Sequence, residues 1–423
     1  MHRIFLLFIF SFFLPLSIPA QSEGEEQHIE GRVNSKKGLS SPYVILISAD
    51  GFRYDYAKKY NAKNLLGIAQ RGTQAKYMDP SYPSVTGPNH YAIITGLYPS
   101  HSGFVDNYFV DPKRNDWFSM SSPKIKDGSW LLGLPLWGLM EKNGILSASL
   151  FWVASNGTVG GERPSYYYDY REDFSAQKRV DIVENWLKLP ENVRPHFISL
   201  YFFEVDKMGH LYGPDAKETR DAVKLVDDAV GDLLQRIEKL GLENVNVIFV
   251  SDHGMTQVDI HSPLEVPSFL LDKDKYTIIN AQTLLRVMVH DPKKVKETYK
   301  ILKKVKTRDY QVKKLDQLPK RLHYGKRDDV LGRMGDIALI PKHPKIFLLE
   351  GQKATPGKHG YDPKKVKDMR ATFYAAGPSI ESQKKIGGFQ NVNVYPIVTK
   401  IMGIENYHAI DGKDTEAKKI VVE

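Results

Sequence analysis

Short apolar runs alternate with a helical segment along this chain, and this alternation limits the folds that the chain can adopt. The runs at 43–48, 196–203 and 245–251 have the length and composition of buried parallel strands. Residues 221–240 carry apolar side chains three or four positions apart, which predicts a helix, and Gly241 supplies a stop. We therefore predict an α/β domain with a mainly parallel central sheet and helices on both faces.

The composition excludes cysteine chemistry and bears on whether the chain binds anionic partners. The chain has 423 residues and no cysteine, which excludes disulfides, thiolate metal ligands and a cysteine nucleophile. The formal charge is +9, and the lysines between 293 and 306 form the densest basic cluster. A nucleic acid or an anionic membrane could bind such a cluster. However, Val295, Tyr299 and Leu302 recur at helical spacing, which favours a solvated helix face, and we predict no stable nucleic-acid partner.

The N-terminus has the layout of a signal peptide over residues 1–20. A cationic start precedes an apolar run from 4 to 18, and Ala20 is a suitable cleavage point. The alternative is an uncleaved anchor, but about fifteen apolar residues fall short of the ~20 that a bilayer requires. We therefore expect an exported protein, periplasmic or secreted, without a membrane span after cleavage. Residues 21–41 are polar and predict a flexible leader.

The rest of the chain, 42–423, is predicted to form the catalytic domain. The lysine-rich stretch from about 262 to 350 has short strand-like runs of its own, at 284–289 and 337–340. This pattern indicates an inserted cap or small subdomain.

Acidic side chains follow the three predicted strands. Asp50, Asp206 and Asp252 each come after one of them, where ligands bind in open α/β sheets. Asp206 and His210 lie four positions apart in a segment with two glycines, so a turn or loop could aim both at one cation. Oxygen and nitrogen ligands suit Zn²⁺. The alternative for such a pair is a capping carboxylate beside a surface histidine.

Asp252 and His253 are adjacent, and neighbours in an extended chain point to opposite sides. The two could therefore serve two neighbouring ions, while Gly254 permits a tight turn. A capped turn between a strand and a helix is the alternative. His359, in a loop flanked by glycines, would be ordinary on its own.

Thr86 lies at the start of a predicted helix. Pro88 fits the first helical turn, which places Thr86 at or near the N-cap. A capping threonine explains this position. The alternative is a hydroxyl held at a positive helix end that favours phosphate.

Taken in order, these segments resemble the nucleotide pyrophosphatase/phosphodiesterase family of the alkaline phosphatase superfamily, the type I phosphodiesterases. The resemblance extends from about residue 43 to residue 411. The matching segments are Ser48-Ala-Asp-Gly-Phe-Arg53, Pro83-Ser-Val-Thr-Gly-Pro-Asn-His-Tyr91, Thr95-Gly-Leu-Tyr-Pro99, Asp106-Asn107, Asp206-Lys-Met-Gly-His-Leu-Tyr-Gly-Pro214, Ser251-Asp-His-Gly-Met255, His359-Gly-Tyr-Asp362 and Phe389-Gln-Asn-Val-Asn-Val-Tyr395.

The resemblance implies an alkaline-phosphatase-like layered fold and two zinc ions per chain. One ion would be held by Asp206, His210 and His359, and the other by Asp50, Asp252, His253 and the Thr86 hydroxyl. It also implies that Thr86 is the nucleophile in a two-step hydrolysis through a phosphothreonyl-type intermediate. Asn107, with a backbone N–H near Gly87, would bind a phosphoryl oxygen. The substrate would be a small phosphodiester or nucleotide, and the oligomeric state stays open.

The sequence departs from the family pattern beside Thr86. Members that cleave nucleotides commonly have an aromatic residue at the position of Gly87, so base stacking must be weakened or moved here. Among the tyrosines between 166 and 170, Tyr167 and Tyr170 are the candidates to replace this aromatic residue. Positions in the core or in an interface would also explain these tyrosines. The segment Pro99-Ser-His-Ser-Gly103 also departs from the family's usual histidine-glycine pair, which leaves the role of His101 undefined.

Two other functions fit parts of the sequence. A phosphomonoesterase on the same scaffold would need extra cations for a dianionic phosphoryl group, and Arg163 is the residue to examine. A secreted binding protein with a degenerate site is the alternative from another class. All seven metal-site positions carry competent residues, which favours an enzyme.

Overall fold

The computed structural model describes residues 24–305, 307–405 and 408–422. The predicted signal peptide, residues 1–20, lies outside these ranges. Within them, no helix has both the length and the apolar character that crossing a membrane requires.

The described residues form twelve α-helices and twenty-one strands, most of them short. The strands are β1 (Gln27–His28), β2 (Tyr43–Ala49), β3 (Thr73–Ala75), β4 (Met78–Asp79), β5 (Tyr108–Asp111), β6 (Asp116–Ser119), β7 (Ser147–Leu150), β8 (Tyr166–Tyr168), β9 (Phe197–Phe202), β10 (Val245–Val250), β11 (Thr256–Gln257), β12 (Leu264–Glu265), β13 (Tyr276–Asn280), β14 (Leu285–Val289), β15 (Tyr310–Lys314), β16 (Ile337–Pro341), β17 (Phe347–Leu348), β18 (Gly357–Lys358), β19 (Phe373–Ala376), β20 (Lys384–Ile386) and β21 (Phe389–Gln390). The helices are α1 (Lys36–Ser40), α2 (Tyr56–Lys59), α3 (Lys63–Arg71), α4 (Thr86–Thr95), α5 (Pro99–Ser102), α6 (Leu136–Lys142), α7 (Ala176–Leu187), α8 (Glu204–Tyr212), α9 (Lys217–Leu240), α10 (Val295–Lys304), α11 (Val394–Ile401) and α12 (Ala417–Ile420).

A nine-stranded sheet forms the centre, in the order β1-β8-β7-β9-β2-β10-β19-β3-β20. The five strands from β8 to β10 are parallel to one another. β1 and β19 pair antiparallel with their neighbours, and β20 is parallel to β3. The three predicted strands, β2, β9 and β10, lie side by side in the middle of the sheet. Their side chains are therefore covered from both faces, which explains their mainly apolar sequences.

Alternate residues of β2 pack into two separate cores. Val44 and Leu46 join the core on one face of the sheet, while Ile45 and Ile47 join the core on the other. Residues of α4, α6 and α11 contribute to the first core, and residues of α3, α7 and α9 contribute to the second. This layering confirms the predicted α/β class.

Helix α9 begins four residues before the predicted segment and ends where predicted. Gly241 follows it with φ of 64°, a left-handed conformation that glycine adopts without steric cost. Its N–H donates to the Glu238 carbonyl at 3.1 Å and so closes the last turn.

The prediction of a flexible leader over 21–41 is wrong for residues 24–41. β1 pairs with the edge strand β8, and α1 follows it. The amide of buried Asn34 donates to the carbonyls of Glu191 and Arg194, and its oxygen accepts the Leu146 N–H at 2.8 Å. The polar composition thus serves hydrogen bonds to the domain rather than solvation.

A second sheet lies within the stretch for which an insertion is predicted. Its antiparallel order is β13-β14-β16-β15, and Leu302 of α10 packs on one of its faces. Buried ion pairs join this small sheet to the main domain: Arg286 donates to Asp106 at 3.0 Å, and Arg333 donates to Asp111 at 2.7 Å.

Candidate active site

The three central strands end at the same edge of the main sheet. Asp50 comes directly after β2, Asp252 lies two residues after β10, and Asp206 lies in the first turn of α8 just beyond β9. Because these strands are adjacent and parallel, their carboxyl ends bring the three carboxylates together, as the sequence predicts.

The first ligand group consists of Asp206, His210 and His359, whose candidate ligand atoms all lie within 4.8 Å of one another. His210 Nε2 is 3.4 Å from Asp206 Oδ1 and 3.0 Å from His359 Nε2. Asp206 and His210 stand one turn apart on α8, not in the loop that their glycines suggest. The helical spacing of four puts both side chains on one face.

The second ligand group surrounds His253. Its Nε2 is 3.5 Å from Asp50 Oδ1 and 3.0 Å from Asp252 Oδ2, and Asp206 lies within the same 4.8 Å limit. The expectation that Asp252 and His253 point to opposite sides is wrong. The chain bends after β10, so both side chains turn toward Asp50.

Backbone carbonyls fix the orientation of the three imidazoles. Nδ1 of His210 contacts the Gly357 carbonyl at 2.8 Å, that of His359 contacts the Ser84 carbonyl at 2.9 Å, and that of His253 contacts the Gly254 carbonyl at 2.9 Å. A carbonyl only accepts, so each Nδ1 carries the proton and each Nε2 presents a lone pair to the site. This is the arrangement of metal-ligating histidines.

The residues present fit metal cations. Asp50 Oδ1, Asp206 Oδ1 and Asp252 Oδ2 are buried without a hydrogen-bond donor among the described residues. Buried polar atoms normally have partners, and two facing imidazole lone pairs 3.0 Å apart repel one another. Cations between these atoms would satisfy both groups.

The pKa shifts of the buried carboxylates also favour a bound cation. Burial raises the pKa of Asp50 well above its ordinary value, and the charges of Asp252 and Asp206 raise it further. Burial also tends to raise the pKa of Asp252, but the positive charges that His253 and His90 carry in their protonated forms lower it to about 2. Ionising the whole group therefore requires positive charge at its centre.

Thr86 is the first residue of α4 and is 6% exposed. Its hydroxyl lies 3.3 Å from His253 Nε2, to which it donates, since that nitrogen carries no proton. Asn107 Oδ1 accepts the Gly87 N–H at 2.7 Å, which leaves the Asn107 amide nitrogen as a donor for another group. The Gly87 N–H is thus engaged by Asn107 and serves to orient its amide.

Two buried residues near the site are missing from the sequence-based set. His90 lies one turn after Thr86, donates from Nδ1 to the Thr86 carbonyl at 3.1 Å and accepts from Ser48 Oγ at 2.8 Å. The Tyr201 hydroxyl donates to Asp50 Oδ2 at 2.7 Å. The spacing of four from Thr86 on a helix is the signal that could have identified His90.

A cavity of about 520 Å³ opens beside Thr86 and Asp50. Its walls are mainly apolar and aromatic, with Phe151, Trp152, Tyr168, Tyr170, Phe203 and Leu211 among them. Tyr170, a predicted substrate contact, lines this cavity. Tyr167 does not line it, because successive strand residues point to opposite faces and Tyr168 takes the inward position. The Tyr167 hydroxyl instead accepts from Arg163 at 3.4 Å.

His101 and Arg163 lie outside the ligand groups and are not among the residues that line the cavity. His101 Nδ1 is 2.8 Å from the Asp411 carboxylate, an ion pair that gives this histidine a structural role. Arg163 packs its guanidinium against the ring of Tyr167.

The fold and these ligand groups define an α/β protein with a candidate metal centre beside a hydroxyl at a helix N-terminus. Residues 44–362 match the family model of type I phosphodiesterases/nucleotide pyrophosphatases. The chain belongs to this family.

Relatives and solved structures agree with the match. Ectonucleotide pyrophosphatase/phosphodiesterase family member 3 of Rattus norvegicus is 32% identical over 87% of this chain and 43% of its own length. Venom phosphodiesterase 2 of Crotalus adamanteus is 31% identical over 89% of this chain and 47% of its own length. The chain thus spans less than half the length of these relatives.

Murine ectonucleotide pyrophosphatase/phosphodiesterase 5 superimposes with a TM-score of 0.82 at 26% identity, covering 90% of this chain and 100% of the murine one. A structure of an inactive threonine-to-alanine variant of that protein contains AMP.

Proposed function

We propose that this chain is a two-zinc phosphodiesterase/nucleotide pyrophosphatase with Thr86 as its nucleophile. The observation that carries the proposal is the placement of the Thr86 hydroxyl, 3.3 Å from His253 Nε2, within a buried set of carboxylates and imidazoles. A threonine hydroxyl is a weak nucleophile unless its surroundings lower its pKa.

The ligand sets follow from the two groups. Asp206, His210 and His359 would hold one ion, and Asp50, Asp252, His253 and Thr86 would hold the other. Bound zinc ions would lower the pKa of the Thr86 hydroxyl and offset the charge that develops on the phosphoryl group.

Thr86 and Asn107 would then act directly on the phosphoryl group. The Thr86 oxygen, having lost its proton to solvent, attacks phosphorus while the bond to the leaving oxygen breaks, giving a phosphothreonine. The Asn107 amide donates to a non-bridging phosphoryl oxygen. Water then attacks the phosphothreonine from the vacated side and restores the Thr86 hydroxyl.

The cavity favours a nucleotide as substrate. Its volume of about 520 Å³ lies in the range of small-ligand sites, and the Tyr170 ring offers a face for a base. The AMP in the related murine structure supports this assignment. Tyr170 would thus replace the aromatic residue missing at position 87.

The same cavity favours diesters over monoesters. A dianionic phosphoryl group needs a cation, and Lys207 is a lysine that lines the cavity. However, Lys207 donates to Glu172 at 2.5 Å, so its charge is already paired. Arg163, the candidate from sequence, lies outside. We further propose that the protein is exported, as the first twenty residues indicate.

Variants of Thr86 test the proposal. Thr86→Ala is expected to lower kcat for bis-p-nitrophenyl phosphate by about a thousandfold or more, because the nucleophile is lost. Thr86→Ser keeps a hydroxyl and should retain substantial activity. Zinc content, measured by plasma mass spectrometry, should stay near two per chain in both variants.

Other results would contradict specific parts of the proposal. Normal turnover by Thr86→Ala removes Thr86 from the nucleophile role. Faster hydrolysis of p-nitrophenyl phosphate than of the bis ester would favour a phosphomonoesterase. If the zinc-loaded protein hydrolyses neither ester, nor any of a panel of nucleoside triphosphates and dinucleotides, a binding protein with a degenerate site becomes the better interpretation.

A further inference from the structure

A second cavity of about 650 Å³ lies away from the candidate active site, between the small sheet and the main domain. One wall is the face of β15 and β16 opposite to α10, where Gln311, Lys313 and Ile340 project. The other wall is the segment 361–368. We call this cavity the lysine cleft. Clefts of this volume between structural units are common ligand sites.

The lysine cleft is strongly basic. Lys313, Lys342, Lys365 and Lys367 line it, and none of the four takes part in an ion pair or side-chain hydrogen bond that the described ranges show. An adjoining cavity of about 570 Å³ shares Lys313 and Lys342 and adds further cations, Lys303 and Arg308.

The two acids of the lysine cleft are outnumbered by its four lysines and have partners outside the cleft. Asp362 accepts from Arg321 at 2.8 Å, while Asp368 accepts from Thr256 at 2.8 Å and lies 3.9 Å from Arg53. Neither arginine lines the cleft. The four lysines therefore give it an uncompensated positive charge, which attracts anions and is screened by salt.

The lining between the lysines is apolar. Leu318, Leu322, Ile340 and Val366 contribute aliphatic surface, and Tyr361 adds an aromatic ring. Inorganic phosphate would use the lysines but leave this surface in contact with water. A ligand with an apolar ring system and several negative charges would use both.

We propose that the lysine cleft binds an organic phosphate of nucleotide size, with its apolar part against Leu322 and Ile340 and its phosphates on Lys313 and Lys342. This site is separate from the Thr86 centre and does not depend on the proposed hydrolysis. It lies directly behind that centre: the Tyr361 carbonyl accepts from Ser84 Oγ at 2.7 Å, and the Ser84 carbonyl accepts from His359.

Calorimetric titration with α,β-methylene-ADP tests the proposal, since this nucleotide has no hydrolysable bond between its two phosphates. At an ionic strength of about 50 mM, where charges act over more than ~10 Å, we expect two sites per chain in the wild-type protein. EDTA should remove the site at the metal centre and leave the cleft site. The double variant Lys313→Glu/Lys342→Glu should weaken the cleft site by about tenfold or more.

The matched control is Lys300→Glu/Lys304→Glu, with the same charge change on exposed lysines of α10 that line neither cavity. Melting temperatures report whether each variant is folded. Retention of the cleft site in the control and its loss in the cleft variant support the proposal. A single site abolished by EDTA, or equal weakening in both double variants, overturns it. Equally tight binding of inorganic tripolyphosphate contradicts the organic part of the assignment.

Discussion

Gly87 is constrained by its neighbours at the start of α4. A Cβ at this position would lie 2.5 Å from Phe104 Cζ and 2.9 Å from Asn107 Oδ1, closer than van der Waals contact permits. The buried Phe104 ring thus occupies the space that a larger residue at 87 would need. This packing explains why the chain lacks the aromatic residue that nucleotide-cleaving relatives commonly carry beside the nucleophile.

We predict that Gly87→Ala lowers kcat by about tenfold or more, since the new methyl group must displace the Asn107 amide or the first turn that carries Thr86. Steady-state kinetics with bis-p-nitrophenyl phosphate measure the effect. The double variant Gly87→Ala/Phe104→Leu, which removes the crowding ring atoms, should recover part of the loss. If Gly87→Ala has wild-type kinetics, crowding at this position does not control the site.

His101 should make stability depend on pH. Its hydrogen bond to Asp411 raises its pKa above the ordinary value, although burial opposes this. Because the pKa of His101 is higher in the folded than in the unfolded state, its protonated form stabilises the fold. This stabilisation is complete below the pKa of the unfolded state, near 6.5, and is lost as pH rises through the pKa of the folded state. His101→Gln should therefore cost about 0.5–1 kcal/mol at pH 5 and less at pH 9, because His101 is partly exposed.

Urea unfolding at both pH values measures this difference, with the exposed His261→Gln as the control. An equal loss at both pH values would mean that His101 acts through packing rather than through its ion pair.

Sequence patterns indicate where the candidate ligand residues lie better than they indicate the residues around them. Asp50, Asp206 and Asp252 follow central strands, so their convergence could be predicted from their positions after predicted parallel strands. The inward position of Tyr168 could not, since it depends on how β8 pairs with β1 and β7. Likewise, Tyr201 belongs to a mainly apolar strand, and only the assembled sheet shows its hydroxyl beside Asp50.

At the scale of elements, helix α8 and strand β18 meet closely. A Cβ on Gly357 would lie 2.0 Å from the Gly209 carbonyl oxygen, so only glycine permits this approach. The Gly357 carbonyl in turn accepts from His210, and His359 follows two residues later. The contact therefore sets the distance between the two imidazoles of the first ligand group.

We predict that Gly357→Ala separates α8 from β18 and lowers zinc occupancy to about one ion per chain, measured by plasma mass spectrometry. Gly387→Ala is the matched control, because nothing lies within 4 Å of a Cβ at that position. Full occupancy in Gly357→Ala would show that the first ligand group tolerates the displacement.

The helical state of α8 was not predictable from its own residues. Two glycines interrupt the segment from 204 to 213, which favours a loop when it is considered alone. In the structure, α8 packs on α9, and Gly209 lies against Met255. Tertiary contacts thus outweigh the local preference, and they place Asp206 and His210 together on one helix face as candidate ligands.

At the scale of the whole molecule, buried ion pairs fasten the small sheet to the main domain. Arg286 is fully buried and donates to Asp106, the residue before Asn107. Arg286→Met leaves the Asp106 carboxylate buried without this partner, so we predict a loss of about 3–5 kcal/mol in unfolding free energy. Urea denaturation measures it.

The control is Lys294→Met, directly before α10, which removes one partner of an exposed pair with Glu297 and should cost less than about 1 kcal/mol. Similar losses in the two variants would indicate that the buried pair contributes no more than a surface one.

The backbone-held imidazoles and strand-end carboxylates come from widely separated parts of a chain that has no cysteine. An ion held by Asp206 and His359 would close a loop of roughly 150 residues, and one held by Asp50 and His253 a loop of roughly 200; restricting such long loops lowers the entropy of the unfolded chain. The metal centre would then take the place that disulfides have in many exported proteins. The durability of the fold would follow the free zinc concentration of its surroundings rather than their redox potential.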